Sequence, residues 1–133
     1  MSKSEDLTSN RMAKREGNYQ RAKVCFIRHD RAGAIHFAHI AVSDNPVDSD
    51  SLKLLGACYG MNGDLRRAAE YYGQASRAAP SYMEARLGLA TALDALGRRR
   101  EARRTYITVI EDVLSTKAQA AQAAARLHIL EGN

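Results

Sequence analysis

The chain has 133 residues, a length that fits one domain with a sizeable hydrophobic core. Its helix-favouring balance is rich in Ala, Leu, Arg and Glu, with two prolines and no tryptophan, and its net charge of +5 comes from fifteen Arg against five Lys. No stretch approaches the roughly 18 apolar residues of a membrane span, and residues 1–20 lack the apolar run of a secretory leader, so a cytoplasmic protein is expected.

Residues 1–9 are polar and are expected to be disordered. A first helical segment follows, starting between Asn10 and residue 15 and carrying Ala22, Phe26 and Ile27. A second carries Ala34, Ala38 and Ala41 and closes at Pro46. From 49 a helix with Leu52, Leu55, Gly56 and Tyr59 runs to a Gly63 turn, and a further helix with Ala68, Tyr72 and Ala75 is stopped by Pro80. Ser81 is the expected cap of the next helix, with Glu84 completing a capping box. That helix and its successor carry Leu89, Ala90, Leu93, Gly97, Ala102, Tyr106 and Val109. A last helix over 117–131 starts from a Thr116–Gln119 capping box and ends on Leu127, Ile129 and Leu130. Cys25 and Cys58 lie in apolar stretches and read as buried, inert thiols.

These elements repeat. The step that takes Leu55 to Leu89 also takes Gly56 to Ala90, Gly63 to Gly97, Ala68 to Ala102 and Tyr72 to Tyr106. The same step backwards takes Gly56 to Ala22, Ala68 to Ala34, Ala75 to Ala41 and Pro80 to Pro46. Small residues at fixed offsets mark close approaches of two antiparallel helices, and the aromatics fill the space to the next pair. In period and residue pattern the chain resembles the tetratricopeptide repeat family over about residues 15–131. The resemblance implies an all-α, right-handed solenoid of three helix pairs, 15–48, 49–82 and 83–116, closed by a capping helix at 117–131. The chain from 10 to 133 is then a single domain. The first pair departs from the pattern at Asn18 and Arg21, and Leu114 stands where a closing proline is usual.

In this family the first helices of successive pairs line a concave groove that binds a peptide. The matching positions imply a partner-binding groove of Tyr19, Lys23, Phe26, Lys53, Met61, Leu87 and Thr91. Glu16, Asp50 and Glu84 recur once per repeat in first helical turns, where the helix dipole favours a carboxylate. Some members grip a carboxylate-terminated tail with several cations, but of Tyr19, Lys23, Leu54, Glu84 and Gly88 at those positions only Lys23 is basic. A heat-shock-tail clamp is therefore not expected.

A basic edge is the second candidate: Arg66, Arg67, Arg98, Arg99, Arg100, Arg103 and Arg104 all fall at the turn and start of a second helix. Such a ridge suits an acidic partner. No aromatic platform is interleaved with it, which argues against nucleic acid. His36 and His39 are spaced to share a metal, with His29 and Asp30 nearby, but an outward orientation is expected for the pair and no zinc-type motif accompanies them. No phosphate-binding loop, nucleophile elbow or acid–base pair occurs, so no enzyme activity, catalytic residue, cofactor or metal is expected. The sequence points to a protein-binding module taking a peptide or helix in its groove, of the kind that includes bacterial chaperones for secretion-system subunits. The competing reading is an assembly subunit or adaptor docking through the arginine edge. A second copy of the chain is a further candidate partner.

Overall fold

The computed structural model describes residues 17–112 and 114–132. The expected disorder at 1–9, the start of the first helix and Glu16 all lie outside the described residues. Residues 17–27 are helical and form α1, followed by α2 (Arg31–Asp44), α3 (Ser49–Met61), α4 (Leu65–Ala78), α5 (Met83–Ala95), α6 (Arg99–Glu111) and α7 (Lys117–Gly132). No strand occurs among the described residues. The architecture is an all-α, right-handed solenoid of three helix pairs with α7 laid against the third.

The three turns inside the pairs share one construction. At the second, Asp64 N donates to Tyr59 O (2.9 Å) and Gly63 N to Gly60 O (3.1 Å), the double closure of a Schellman motif. His29 with Asp30 repeats it one period earlier, and Gly97 with Arg98 one period later. The motif needs a left-handed residue, and Gly63 (φ 82°), Gly97 (φ 81°) and His29 (φ 63°) supply it. Asp30 and Asp64 then cap α2 and α4 by accepting from Gly33 N and Arg67 N, but α6 has Arg98 at that place and no side-chain cap. His29 and Asp30 are thus turn and cap residues.

The expected Ser81 cap is not formed. The helix starts at Met83, one residue later than such a cap would place it, with Tyr82 as its N-cap and no capping side chain. Tyr82 and Glu84 are held elsewhere, the phenol donating to Asp50 (2.8 Å) and the carboxylate pairing with Lys53 (2.7 Å). The Thr116–Gln119 box is formed reciprocally, with N–H···O distances of 2.9 and 3.1 Å. Both cysteines are free; burial, with Cys25 nearby as the lesser cause, pushes the Cys58 thiol up to about 11.

Close approach is organised around one ring. A Cβ on Gly56 would stand 2.8 Å from Tyr72 Cγ, and one on Gly88 2.6 Å from Tyr72 Cδ1 and Cζ. Tyr72 on α4 is therefore clasped between the backbones of α3 and α5, fastening the second pair to the third. Ala68 on α4 is buried near Gly60 of α3, where an added Cβ would stand 3.8 Å from the Ala68 Cβ.

Candidate functional site

The first helices of the pairs follow one another along one face, α3 packing on α5 and α5 on α7. Between α3, α4 and α5 a hollow of about 520 Å³ opens, and α7 closes one side of it with Gln122. Gly60, Met61, Ala68, Leu87 and Thr91 are among the residues that line it. Two of its lining residues have no side chain: a Cβ on Gly60 would meet only Ala68, at 3.8 Å, and Gly88 lies against the Tyr72 ring. Leu87 is only 7% exposed and belongs to the core, whereas Met61 is 38% exposed and stands free at the mouth.

The groove residues expected from the sequence separate into two sets. Met61, Leu87 and Thr91 border the hollow. Tyr19 and Phe26 instead pack, half-buried, against the cluster of Ala22, Leu54, Leu55 and Cys58, and Lys23 Nζ lies 5.3 Å from the centre of the Tyr19 ring. Lys53 lies between them and is engaged within the chain. Its ammonium pairs with Glu84 across to α5 and sits 5.2 Å over the Tyr82 ring. Burial works to lower the Lys53 pKa, but the bond to Glu84 and the contact with Tyr82 outweigh it and the net shift is upward. Asp50 is occupied by Tyr82, whose phenol is pushed up to about 12 by burial and then by that bond. The recurring carboxylates at Asp50 and Glu84 therefore tie the second pair to the third. Gln122 was missed by sequence reasoning, although it stands one period beyond Gly88, so the repeat step reaches it.

The arginines do not form one continuous ridge. Arg67 pairs with Asp64 (3.5 Å) and lies over the Tyr59 ring, and Arg103 reaches Glu131 on α7 (2.9 Å). Arg99 and Arg100 are exposed on the first turn of α6. Arg66, Arg98 and Arg104 turn to a second hollow, of about 530 Å³, between α4 and α6 on the face formed by the second helices. Arg98 is held there in a fork by Glu101 (2.8 and 2.9 Å).

His36 and His39 diverge. His36 is exposed, but His39 turns inward, contrary to the outward orientation expected. Its Nε2 is 2.8 Å from the Tyr59 hydroxyl, and its ring meets Tyr71, which stacks on Tyr59 at 5.5 Å with 6° between planes. These three rings fill the junction between α2 and α4.

A family model described as tetratricopeptide repeat matches residues 61–127, half of the chain. No curated protein matches by sequence. Among solved structures, the TPR2B domain of yeast Sti1, in a complex with pHsp70, aligns with a TM-score of 0.81 at 18% identity, covering 90% of this chain and 97% of that one. The second such domain of human RPAP3, in complex with the HSP70 peptide SGPTIEEVD, aligns at 0.79 with 19% identity, covering 88% and 97%. The type III secretion translocator chaperone SycD of Yersinia enterocolitica aligns at 0.80 with 18% identity, covering 87% and 82%. At these identities the likeness is one of fold.

Proposed function

The chain belongs to the tetratricopeptide repeat family, and from that premise we propose that it is a non-enzymatic interaction module whose concave hollow receives a segment of another protein. The observation that carries the reading is the hollow between α3, α4, α5 and α7. Its volume is that of a ligand-sized site, it is walled by Leu87, Ala68 and the Tyr72 ring, and Thr91 and Gln122 offer polar contacts. Its one carboxylate, Glu84, is already paired with Lys53. An apolar anchor of the partner suits such a site better than a charged one.

That preference separates this chain from relatives of the same shape. The human RPAP3 domain holds an acidic peptide ending in EEVD. Here Leu54 is buried, Gly88 lies against Tyr72, and only Lys23 brings a positive charge at the corresponding positions. We therefore propose that the chain shields an apolar segment of a protein subunit before assembly or export; a protein of similar fold, SycD, is named as a secretion translocator chaperone. Repeats at 15–48, 49–82 and 83–116, with 117–131 as the cap, form the single domain that does this. Tyr19, Lys23 and Phe26 extend the groove beyond the hollow, and a protein of this kind works in the cytoplasm without cofactor.

The test is capture of partners from the native cell with the parent chain and with the double variant Met61→Glu, Thr91→Glu. Both sites are exposed, so the variant keeps its helical circular-dichroism signal. It should lose the partner that the parent retains, since a few anchors carry most of the energy of such contacts, about 2 kcal/mol each. Equal capture by both would contradict the reading.

A further inference from the structure

The second hollow has an internal counterpart. Moved forward by one repeat step, His39, Tyr59 and Tyr71 become Gly73, Leu93 and Thr105. The first set fills the junction between α2 and α4 with three stacked and edge-on rings. The second set lines the junction between α4 and α6, and because these residues carry no ring, the groove of about 530 Å³ remains there. Its floor is apolar, formed by Ala69, Leu89 and Leu93. The Arg77 guanidinium lies across Gly73, 3.4 Å from where a Cβ would be.

Charge surrounds this groove. Four arginines, Arg66, Arg77, Arg98 and Arg104, border it, with two carboxylates, Glu70 and Glu101. Glu101 is consumed by Arg98. Arg66, Arg77 and Arg104 form no ion pair among the described residues and are exposed. The first two second-helices begin with capping aspartates, Asp30 and Asp64, whereas α6 forgoes a side-chain cap and places Arg98 at this rim.

We propose that the groove between α4 and α6 is a second docking site, which takes an aromatic side chain flanked by carboxylates from a protein partner. The ring occupies the place that Tyr71 fills one repeat earlier, lying on Leu93 and against the Arg77 guanidinium. The flanking carboxylates meet Arg66 and Arg104. A single nucleic-acid strand is the less suited occupant, because no aromatic side chain lines the groove to stack a base. The inference does not rest on the concave reading and uses different residues.

Fluorescence anisotropy of the full chain with a fluorescein-labelled peptide DEFED tests it, with DEAED and KKFKK as comparisons. DEFED should bind, DEAED at least tenfold more weakly, and KKFKK not measurably. Thr105→Tyr puts into the groove the ring its counterpart carries and should weaken DEFED binding at least tenfold with the melting temperature kept. The exposed pair Arg66→Glu, Arg104→Glu should do the same without touching the core, and Met61→Glu, which lies in the concave hollow and not in this groove, should leave the affinity for DEFED at the parental value. Equal binding of DEFED and DEAED would overturn the proposal. So would parental affinity in both groove variants, loss of binding in Met61→Glu alone, or displacement of DEFED by oligo(dT) at equal concentration. Self-association that Thr105→Tyr abolishes while DEFED fails to bind would make a second copy the occupant and would likewise overturn it.

Discussion

Tyr72 clasped between Gly56 and Gly88 makes a sharp stability test, and Gly88→Ala is the most telling perturbation. Gly88 lies inside α5, so on helix propensity alone the change should stabilise by about 0.5–1 kcal/mol. The new Cβ, however, would stand 2.6 Å from Tyr72 Cδ1 and Cζ, well inside contact distance. The ring has little room to retreat, because α3 passes so close on the far side that a Cβ on Gly56 would itself stand 2.8 Å from Tyr72 Cγ. Overpacking of this kind costs about 1–3 kcal/mol and exceeds the propensity gain, leaving a net loss of roughly 1–2 kcal/mol. For a chain of this size that lowers the melting temperature by roughly 3–8 °C. Gly60→Ala is the matched control: its Cβ would meet only Ala68 Cβ at 3.8 Å, so it should raise the melting temperature by a few degrees. Thermal and urea melts followed by circular dichroism read both. If Gly88→Ala is as stable as Gly60→Ala, Tyr72 is not clasped as described.

Three further outcomes follow from the repeated turns and the buried rings. His29 holds a left-handed conformation that its counterparts Gly63 and Gly97 adopt freely, so His29→Gly should stabilise by about 1 kcal/mol in urea melts. Arg98→Asp restores the cap that Asp30 and Asp64 provide and should stabilise by about 1 kcal/mol, read the same way, while weakening DEFED binding. Burial, and after it the nearby Arg67 guanidinium, hold the His39 imidazole below its usual 6.5. The unfolded chain therefore takes up that proton first as the pH falls, and stability drops from about pH 6.5 downward, levelling off below the folded value. Urea midpoints at pH 7.5 and 5.5 should differ less in His39→Gln than in the parent.

The sequence made the scaffold legible where a residue type answers a backbone demand. Gly63 and Gly97 marked turns, Ala68 and Ala102 marked close approaches, and the helices recur with the step that those residues define. It misled where a side chain had a stronger use elsewhere. Ser81 and Glu84 have the form of a capping box, but Glu84 is drawn to Lys53 and the helix begins later. His39 reads as outward from its helix alone, because only the fold brings Tyr59 and Tyr71 to it from other helices. Gly88 occupies a position that faces the groove, yet its role as one wall around Tyr72 depends on α4 lying between α3 and α5. The split of the arginines between Glu131, Asp64 and the groove beside α6 likewise depends on which helix faces each one, a long-range fact absent from the local pattern.

Photo-cross-linking in the native cell tests the concave assignment most directly. A benzoylphenylalanine placed at Thr91, on the wall of the hollow, is compared with one at the exposed Ser43 on α2. The account predicts one discrete covalent adduct from position 91, with the cross-linked partner peptide rich in apolar residues by mass spectrometry, and none from position 43. An adduct of equal yield from both positions, or from position 43 alone, would contradict it.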